Sequence, residues 1–302
     1  MCTLVFAWQV FDGAPIAVAA NRDERLDRPA SPPAVYATDP VVIAPRDAQA
    51  GGTWIGVNEA GLFTGITNRW LDDDLPSERS RGKLVADVLS CSSATKARAH
   101  VERALENHAY DGFNLVIADD GAAWCLEWDG ESSWTAFDPG VHIVYNTGFD
   151  DVAEIPTRRG AVASDQATNA QRVKQRLEEA LEDQQSSSGD VSVPACSSDT
   201  PDSDAPACSS AMPYSDAPVD SGAVSDWLET AGNVLGDHEY GVCVHGDGFG
   251  TRSSSRLALG GVAQTQYAVT DGPPCRNQYR DVDLGDEFRD RVARVLADEG
   301  HI

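Results

Sequence analysis

The chain has 302 residues, enough for one large domain or two ordinary ones around a sizeable core. Acidic residues outnumber basic ones 48 to 23, and the formal charge of −25 repels nucleic acid and anionic membranes, so neither is an expected partner. No run of about 18 apolar residues occurs, and the N-terminus lacks both a basic leader and a long apolar stretch, so neither a membrane span nor a signal peptide is expected.

The first 70 residues read as strands joined by turns. "TLVFAWQV" and "APIAVAAN" flank the hairpin signal "FDG", and "GTWIGV" and "GLFTGITN" flank "NEA" in the same way. "SRGKLVADVLS" and residues 95–108 follow with helical spacing; Val101, Ala104, Leu105 and His108 share one face, which makes His108 a flank of a core stripe rather than a ligand. "GFNLVIAD", "AAWCLEWD", "SSWTAF" and "VHIVYN" are short strands rich in aromatic and β-branched residues, with Trp124, Trp128 and Trp134 in packing roles. A helix returns over residues 163–183, its apolar stripe made of Ala167, Ala170, Val173, Leu177 and Leu181. Residues 186–221 are Ser, Asp, Pro and Ala with near-repeats "PACSSD" and "APACSS", a composition that predicts a disordered insertion in an otherwise single domain over 1–302. After it "SDWLETAGNVL" reads as a helix, "YGVCVHG", "RLALGG" and "TQYAVT" as strands, and the end as helical. This order predicts an α+β fold, two antiparallel sheets packed together with helices on their outer faces, and not a doubly wound parallel sheet.

Only three basic residues are lysine (Lys83, Lys96, Lys174) and the other 20 are arginine. An acid-rich, lysine-poor surface suits molar salt, where screening shrinks to a few ångströms, and points to a halophilic source. Seven cysteines, an odd number with no CxxC pair, fit a reduced, cytoplasmic protein.

Several polar residues at strand ends are candidates for chemistry. Cys2 follows the initiator methionine, and a small residue there permits removal of Met1, which would leave a thiol and a free α-amine on one residue: a nucleophile with its own base. The alternative is a small hydrophobe opening a strand. Arg22 and Asp23, in "NRDE", end the strand paired with that of Cys2; an arginine there would favour thiolate and an aspartate would hold the amine, whereas the alternative is an exposed polar turn. Asn68 and Asn146 each end an apolar strand, where an amide can donate to an oxyanion or serve as a turn residue or cap. Arg252 begins a strand after a glycine-rich turn. "HGDGFGT" precedes a strand instead of a helix, which rules out a dinucleotide loop. Cys243 and His245 share a strand face, but two ligands make no metal site, Cys196 and Cys208 lack neighbouring histidines, and "DHEY" lacks the HExxH spacing, so no metal ligand is assigned.

Taken together, "NRDE" close behind "MC", then "GGTWIGVNEAGL", "TN", "GFNL" and "GFGTR", resemble the NRDE family, also called the transport and Golgi organisation protein 2 family. The resemblance covers nearly the whole chain apart from residues 186–221. It implies an N-terminal-nucleophile hydrolase fold, a four-layer αββα sandwich. More distantly, "VNEAGLFTGITN" and "VYNTGFD" are similar to the two asparagine segments of choloylglycine hydrolases and penicillin V acylases. That similarity implies Cys2 as nucleophile, Asn68 as oxyanion donor, Asn146 as the second asparagine and Arg252 as the arginine of the C-terminal strand. In those hydrolases two residues separate the arginine and aspartate of the second strand, whereas Arg22 and Asp23 are adjacent here and, on a strand, face opposite sides. The expected function is cleavage of a non-peptide C–N amide bond of a small molecule, without a cofactor. The alternative is a non-enzymatic carrier of haem or an acyl-lipid ligand on the same fold, although none of His100, His108, His142, His238, His245 and His301 lies in a haem motif.

Overall fold

The computed structural model describes residues 2–188 and 221–298. Its first element is the hairpin of β1 (Thr3–Phe11) and β2 (Ala14–Arg25), turned at Gly13 with φ of 71°. Next come β3 (Ala30–Thr38), β4 (Val41–Asp47), β5 (Ile55–Asn58), β6 (Phe63–Asn68), and the helices α1 (Arg81–Val88) and α2 (Ala94–Asn107). Strands β7 (Phe113–Ala118), β8 (Ala123–Trp128), β9 (Ser132–Ala136), β10 (Gly140–Tyr145), β11 (Gly148–Phe149) and β12 (Val152–Ala153) lead to α3 (Gly160–Ser188). The remainder is α4 (Ser221–Gly236), β13 (Phe249–Leu259), β14 (Gln266–Val269), β15 (Arg280–Asp281) and α5 (Asp286–Asp298).

The strands form two antiparallel sheets, ordered β12-β11-β10-β1-β2-β13-β14-β15 and β3-β4-β5-β6-β7-β8-β9. Alternation along β1 and β2 builds two layers of core at once. Leu4, Phe6, Trp8, Ile16 and Val18 point between the sheets with Ile43, Ile55 and Phe63, and Phe288, Val292 and Leu296 of α5 join this central core. Val5, Ala7, Ala17 and Ala19 point outward under α3 and α4, against Val173, Leu177, Trp227 and Leu228. The second sheet buries its outer face, including Leu115 and Ile117, under Leu84, Val88 and Val101 of α1 and α2. Each fully buried Phe or Ile contributes about 1.5–3 kcal/mol of transfer free energy. The result is the predicted α+β, four-layer αββα sandwich. No helix among the described residues is long and apolar enough to cross a membrane.

The structure corrects three local expectations. "YGVCVHG" is not a strand: its one ladder contact is the isolated bridge His245–Gly250, and its backbone groups bond to side chains of β2 and β13 instead. The strand expected from Arg252 starts earlier, at Phe249. The expected insertion over residues 186–221 lies mostly outside the described residues, but residues 186–188 continue α3 and Ser221 opens α4. Pro32 and Pro33 sit in β3, a position open to proline because β3 is the edge of its sheet.

Candidate active site

Cys2 lies at the open end of the sandwich, between the two sheets. Thr3 pairs with Asn21, so Cys2 sits beside Arg22, two residues before inward-facing Leu4. Its nitrogen donates to Asn146 Oδ1 at 2.9 Å, and its thiol reaches the Asp23 carbonyl at 3.6 Å. The half-buried side chain opens into a cavity of about 280 Å³ lined also by Arg22, Trp54, Asn68, Arg81 and Asp111. Burial pushes the Cys2 thiol above its ordinary pKa, and the nearby Arg22 only partly opposes this. Arg22 acts in the expected direction, toward thiolate, but with Met1 attached desolvation is the larger effect.

Arg22 and Asp23 face opposite sides of β2, as strand alternation requires. Arg22 is 8% exposed and lies in the space between the sheets on the thiol's side, its guanidinium stacked 4.0 Å from the centre of the Trp54 ring. Asp23 lies on the helix-covered side, where Thr251 Oγ1 donates to its carboxylate at 2.5 Å. Burial pushes the Asp23 carboxyl up to about 6. Cys2 thus meets the Arg22 side chain on one face, and Asp23 through its main-chain carbonyl.

Arg252 is not brought to Cys2. Thr251 pairs with Asp23 and Ser253 with Arg22, so Arg252 is the extra residue of a bulge between them. Its side chain lines an adjoining cavity of about 720 Å³, which shares Arg22, Trp54, Ser253 and Ser255 with the Cys2 cavity. The Arg22–Trp54 stack is the partition between the two.

The asparagines differ in what they touch. Asn146 is 1% exposed, and its Oδ1 accepts from Cys2 N and, at 2.8 Å, from Gln166 Nε2. Its Nδ2 donates to the Asn68 carbonyl at 2.6 Å, and its own carbonyl accepts from Trp70 N at 2.8 Å. Asn146 is thereby a positioning residue for Cys2 and a stitch between the ends of β10 and β6, rather than the free oxyanion donor expected of it. Asn68 is exposed at the cavity, and its side-chain amide has no hydrogen-bond partner among the described residues. Sequence reasoning missed Gln166, Thr251 and Trp54. It also missed Arg81, whose guanidinium binds the Gly112 carbonyl at 2.6 Å and Asp111 at 3.2 Å; burial lowers its pKa, as it does that of Arg22. Only the "GGTW" motif pointed toward this wall: Gly52 has φ of 85°, and a Cβ there would lie 2.2 Å from the Gly82 carbonyl in the helix that carries Arg81.

Away from this cavity, His238, Cys243, His245 and Cys275 gather their ligating atoms within 4.8 Å of one another. The reading that Cys243 and His245 stand without further ligands is corrected: the fold supplies two more.

Similarity to known proteins agrees with this architecture. Penicillin V acylase from Agrobacterium tumefaciens superposes with a TM-score of 0.50 at 13% identity, over 97% of this chain and 88% of that one. A mutant of the conjugated bile acid hydrolase from Clostridium perfringens gives 0.52 at 14% identity, over 94% and 92%. These likenesses establish the N-terminal-nucleophile hydrolase fold. Among curated proteins, the mouse (Mus musculus) Transport and Golgi organization 2 homolog is 31% identical over 130 residues, and the human (Homo sapiens) homolog 30% over 131. Each alignment takes in 39% of this chain and 45% of the relative, so the chain spans less than half the length of the curated relatives it matches. The model of the family described as Transport and Golgi organisation 2 matches residues 1–267, from β1 to the first half of β14, and on that breadth of agreement the chain belongs to this family.

Proposed function

We propose that the protein is an amide hydrolase whose nucleophile is Cys2 after removal of Met1. The observation that carries this reading is the pairing of a fixed nitrogen with an open thiol: Asn146 Oδ1 holds Cys2 N at 2.9 Å while the thiol faces a cavity bearing Asn68, Arg22 and Arg81. With Met1 attached, that nitrogen is an amide and no base. Once freed, it becomes an α-amine titrating at roughly 7.7–8.0, able to take the thiol proton. The Cys2 sulfur would attack the amide carbonyl, Asn68 would donate to the oxyanion, and the α-ammonium would return the proton to the departing amine. Water, activated by the same α-amine, would then hydrolyse the thioester. The structural neighbours, a penicillin V acylase and a bile acid hydrolase, lend the chemistry plausibility on the shared fold. The same reading places the protein in a reducing cytoplasm at high salt.

The test begins with intact-mass measurement of the purified protein for loss of Met1, then screens N-acyl amino acids and acyl amides in molar KCl. Asn68→Ala should lower turnover by about 10²–10³ with ligand binding nearly intact, because the oxyanion exists only after attack. Cys2→Ala should abolish turnover. A wild type that retains Met1, or that turns over no amide once Met1 is gone, overturns the proposal.

A second reading, a carrier of haem or an acyl lipid, is favoured by the 720 Å³ cavity, whose walls include Pro32, Pro33, Val35, Val269 and Val282. Tight haem binding by a wild type without amidase activity, unaffected by Asn68→Ala, would favour it.

A further inference from the structure

The His238, Cys243, His245 and Cys275 cluster lies outside the Cys2 cavity and has its own chemistry. His238 Nε2 is 3.2 Å from His245 Nε2, Cys243 Sγ is 3.7 Å from His245 Nε2, and Cys275 Sγ is 3.1 Å from it. A zinc tetrahedron with Zn–N of about 2.0–2.1 Å and Zn–S of about 2.3 Å has N···N edges of about 3.3 Å and N···S edges of about 3.6 Å. The three edges that meet at His245 Nε2 match those values to within about half an ångström, and all four ligating atoms lie within 4.8 Å of one another. Hydrogen bonding alone accounts poorly for it, since His245 Nε2 carries a single proton or a single lone pair yet faces His238 Nε2, Cys243 Sγ and Cys275 Sγ at once.

We propose that these four side chains form a His₂Cys₂ site for a zinc ion. The ligands come from three separate segments. His238 stands in a single 3₁₀ turn, Cys243 and His245 flank Val244 in the stretch that fails to form a strand, and Cys275 follows Pro273 and Pro274 after β14. Zinc displaces one proton from each thiol, and two thiolates with two neutral imidazoles cancel the ion's charge. Cys243 is buried, whereas both histidines are exposed, which leaves a route for the ion. Four protein ligands fill the coordination sphere, so the site is structural rather than catalytic.

What it would secure is the back of the Cys2 site. The Val242 carbonyl accepts from Asn21 Nδ2 at 2.9 Å, and Val244 N donates to Thr251 Oγ1 at 2.8 Å, the same hydroxyl that donates to Asp23. A stretch with one ladder contact of its own thus braces two residues around the end of β2, and zinc fixes it from both sides of Val244.

The experiment uses untagged full-length protein in reducing buffer. Elemental analysis should find about one zinc per chain, with affinity falling at least about 100-fold in Cys275→Ser and in His238→Ala and unchanged in Cys91→Ser, whose thiol lies in the turn between α1 and α2, on the Asp87 carbonyl. Should the ligand variants fail to fold, the wild type still decides the matter. Metal-free protein reloaded with Co²⁺ should show the intense visible bands of a tetrahedral ion and thiolate-to-cobalt charge transfer, and chelation should speed amide exchange at Val244 and Thr251. A reduced wild type that takes up neither zinc nor cobalt overturns the proposal. So does metal uptake that Cys275→Ser and His238→Ala leave unchanged, or a Cys243–Cys275 disulfide whose reduction yields no metal affinity.

Discussion

Replacing Asn146 by alanine asks whether this residue positions Cys2 or stabilises charge. Alanine removes three hydrogen bonds: those accepted from Cys2 N and Gln166 Nε2, and the one donated to the Asn68 carbonyl. Gln166 is 4% exposed, so its Nε2 is stranded away from water, which costs about 1–3 kcal/mol. Cys2 N and the Asn68 carbonyl lie beside the cavity, where water replaces part of what is lost, at about 0.5–1.5 kcal/mol each. The expected destabilisation is therefore about 2–6 kcal/mol. Asn68→Ala removes an exposed side chain and should stay within about 0.5 kcal/mol. Urea unfolding in molar KCl measures both, and a double-mutant cycle with Gln166→Leu should give a coupling of about 1–2 kcal/mol, since the second substitution removes the group the first had stranded. The positioning role is refuted if Asn146→Ala is as mild as Asn68→Ala, or if the cycle shows no coupling.

Asp23 predicts a pH dependence. Its carboxyl is raised from 3.8 to about 6, so its contribution is fully present below pH 3.8 and is lost as pH rises to about 6, a change of about 3 kcal/mol at most. Unfolding free energies of Asp23→Asn should lack that fall, and a wild type that gains stability relative to Asp23→Asn over this range contradicts the assignment. Gly52→Ala should cost roughly 3–5 kcal/mol, because a positive φ and a 2.2 Å approach to the backbone of Gly82 combine strain with overlap; a near-neutral effect in thermal unfolding would show that the start of α1 can move. Arg22→Lys should open the partition between the two cavities by removing the stack on Trp54, read as faster quenching of tryptophan fluorescence by acrylamide.

The central hairpin, the outer helices and the paired asparagines were legible because each is written locally. Apolar runs long enough to be buried on both faces marked β1 and β2, and strand ends marked Asn68 and Asn146. Alternation also foretold that Arg22 and Asp23 would diverge, and they do. What one residue does to another was not legible, because it depends on partners far along the chain. Gln166 carries no motif and Thr251 stood in "GFGTR" without a role of its own, and each matters only through the side chain the fold brings to it. His238 was set aside because "DHEY" lacks a ligand spacing, and Cys275 lies in none, so their meeting with Cys243 and His245 was not legible. "YGVCVHG" misled because its apolar content mimics a strand while its backbone bonds serve Asn21 and Thr251.

The β1–β2 hairpin is synthesised well before either strand that flanks it. Its neighbours in the sheet are β10 and β13, so the bond from Cys2 to Asn146 spans 144 residues and that from Thr251 to Asp23 spans 228. At ordinary synthesis rates the hairpin waits on the order of tens of seconds with both long edges unpaired, a slow closure inherent in so non-local a topology. During that interval the bond from Cys2 N to Asn146 cannot form, and an aminopeptidase would meet an unheld N-terminus. Once β10 arrives, Asn146 takes hold of that nitrogen. If Cys2 is the nucleophile proposed above, removal of Met1 would belong to the nascent chain, and protein refolded from denaturant with Met1 attached would resist trimming.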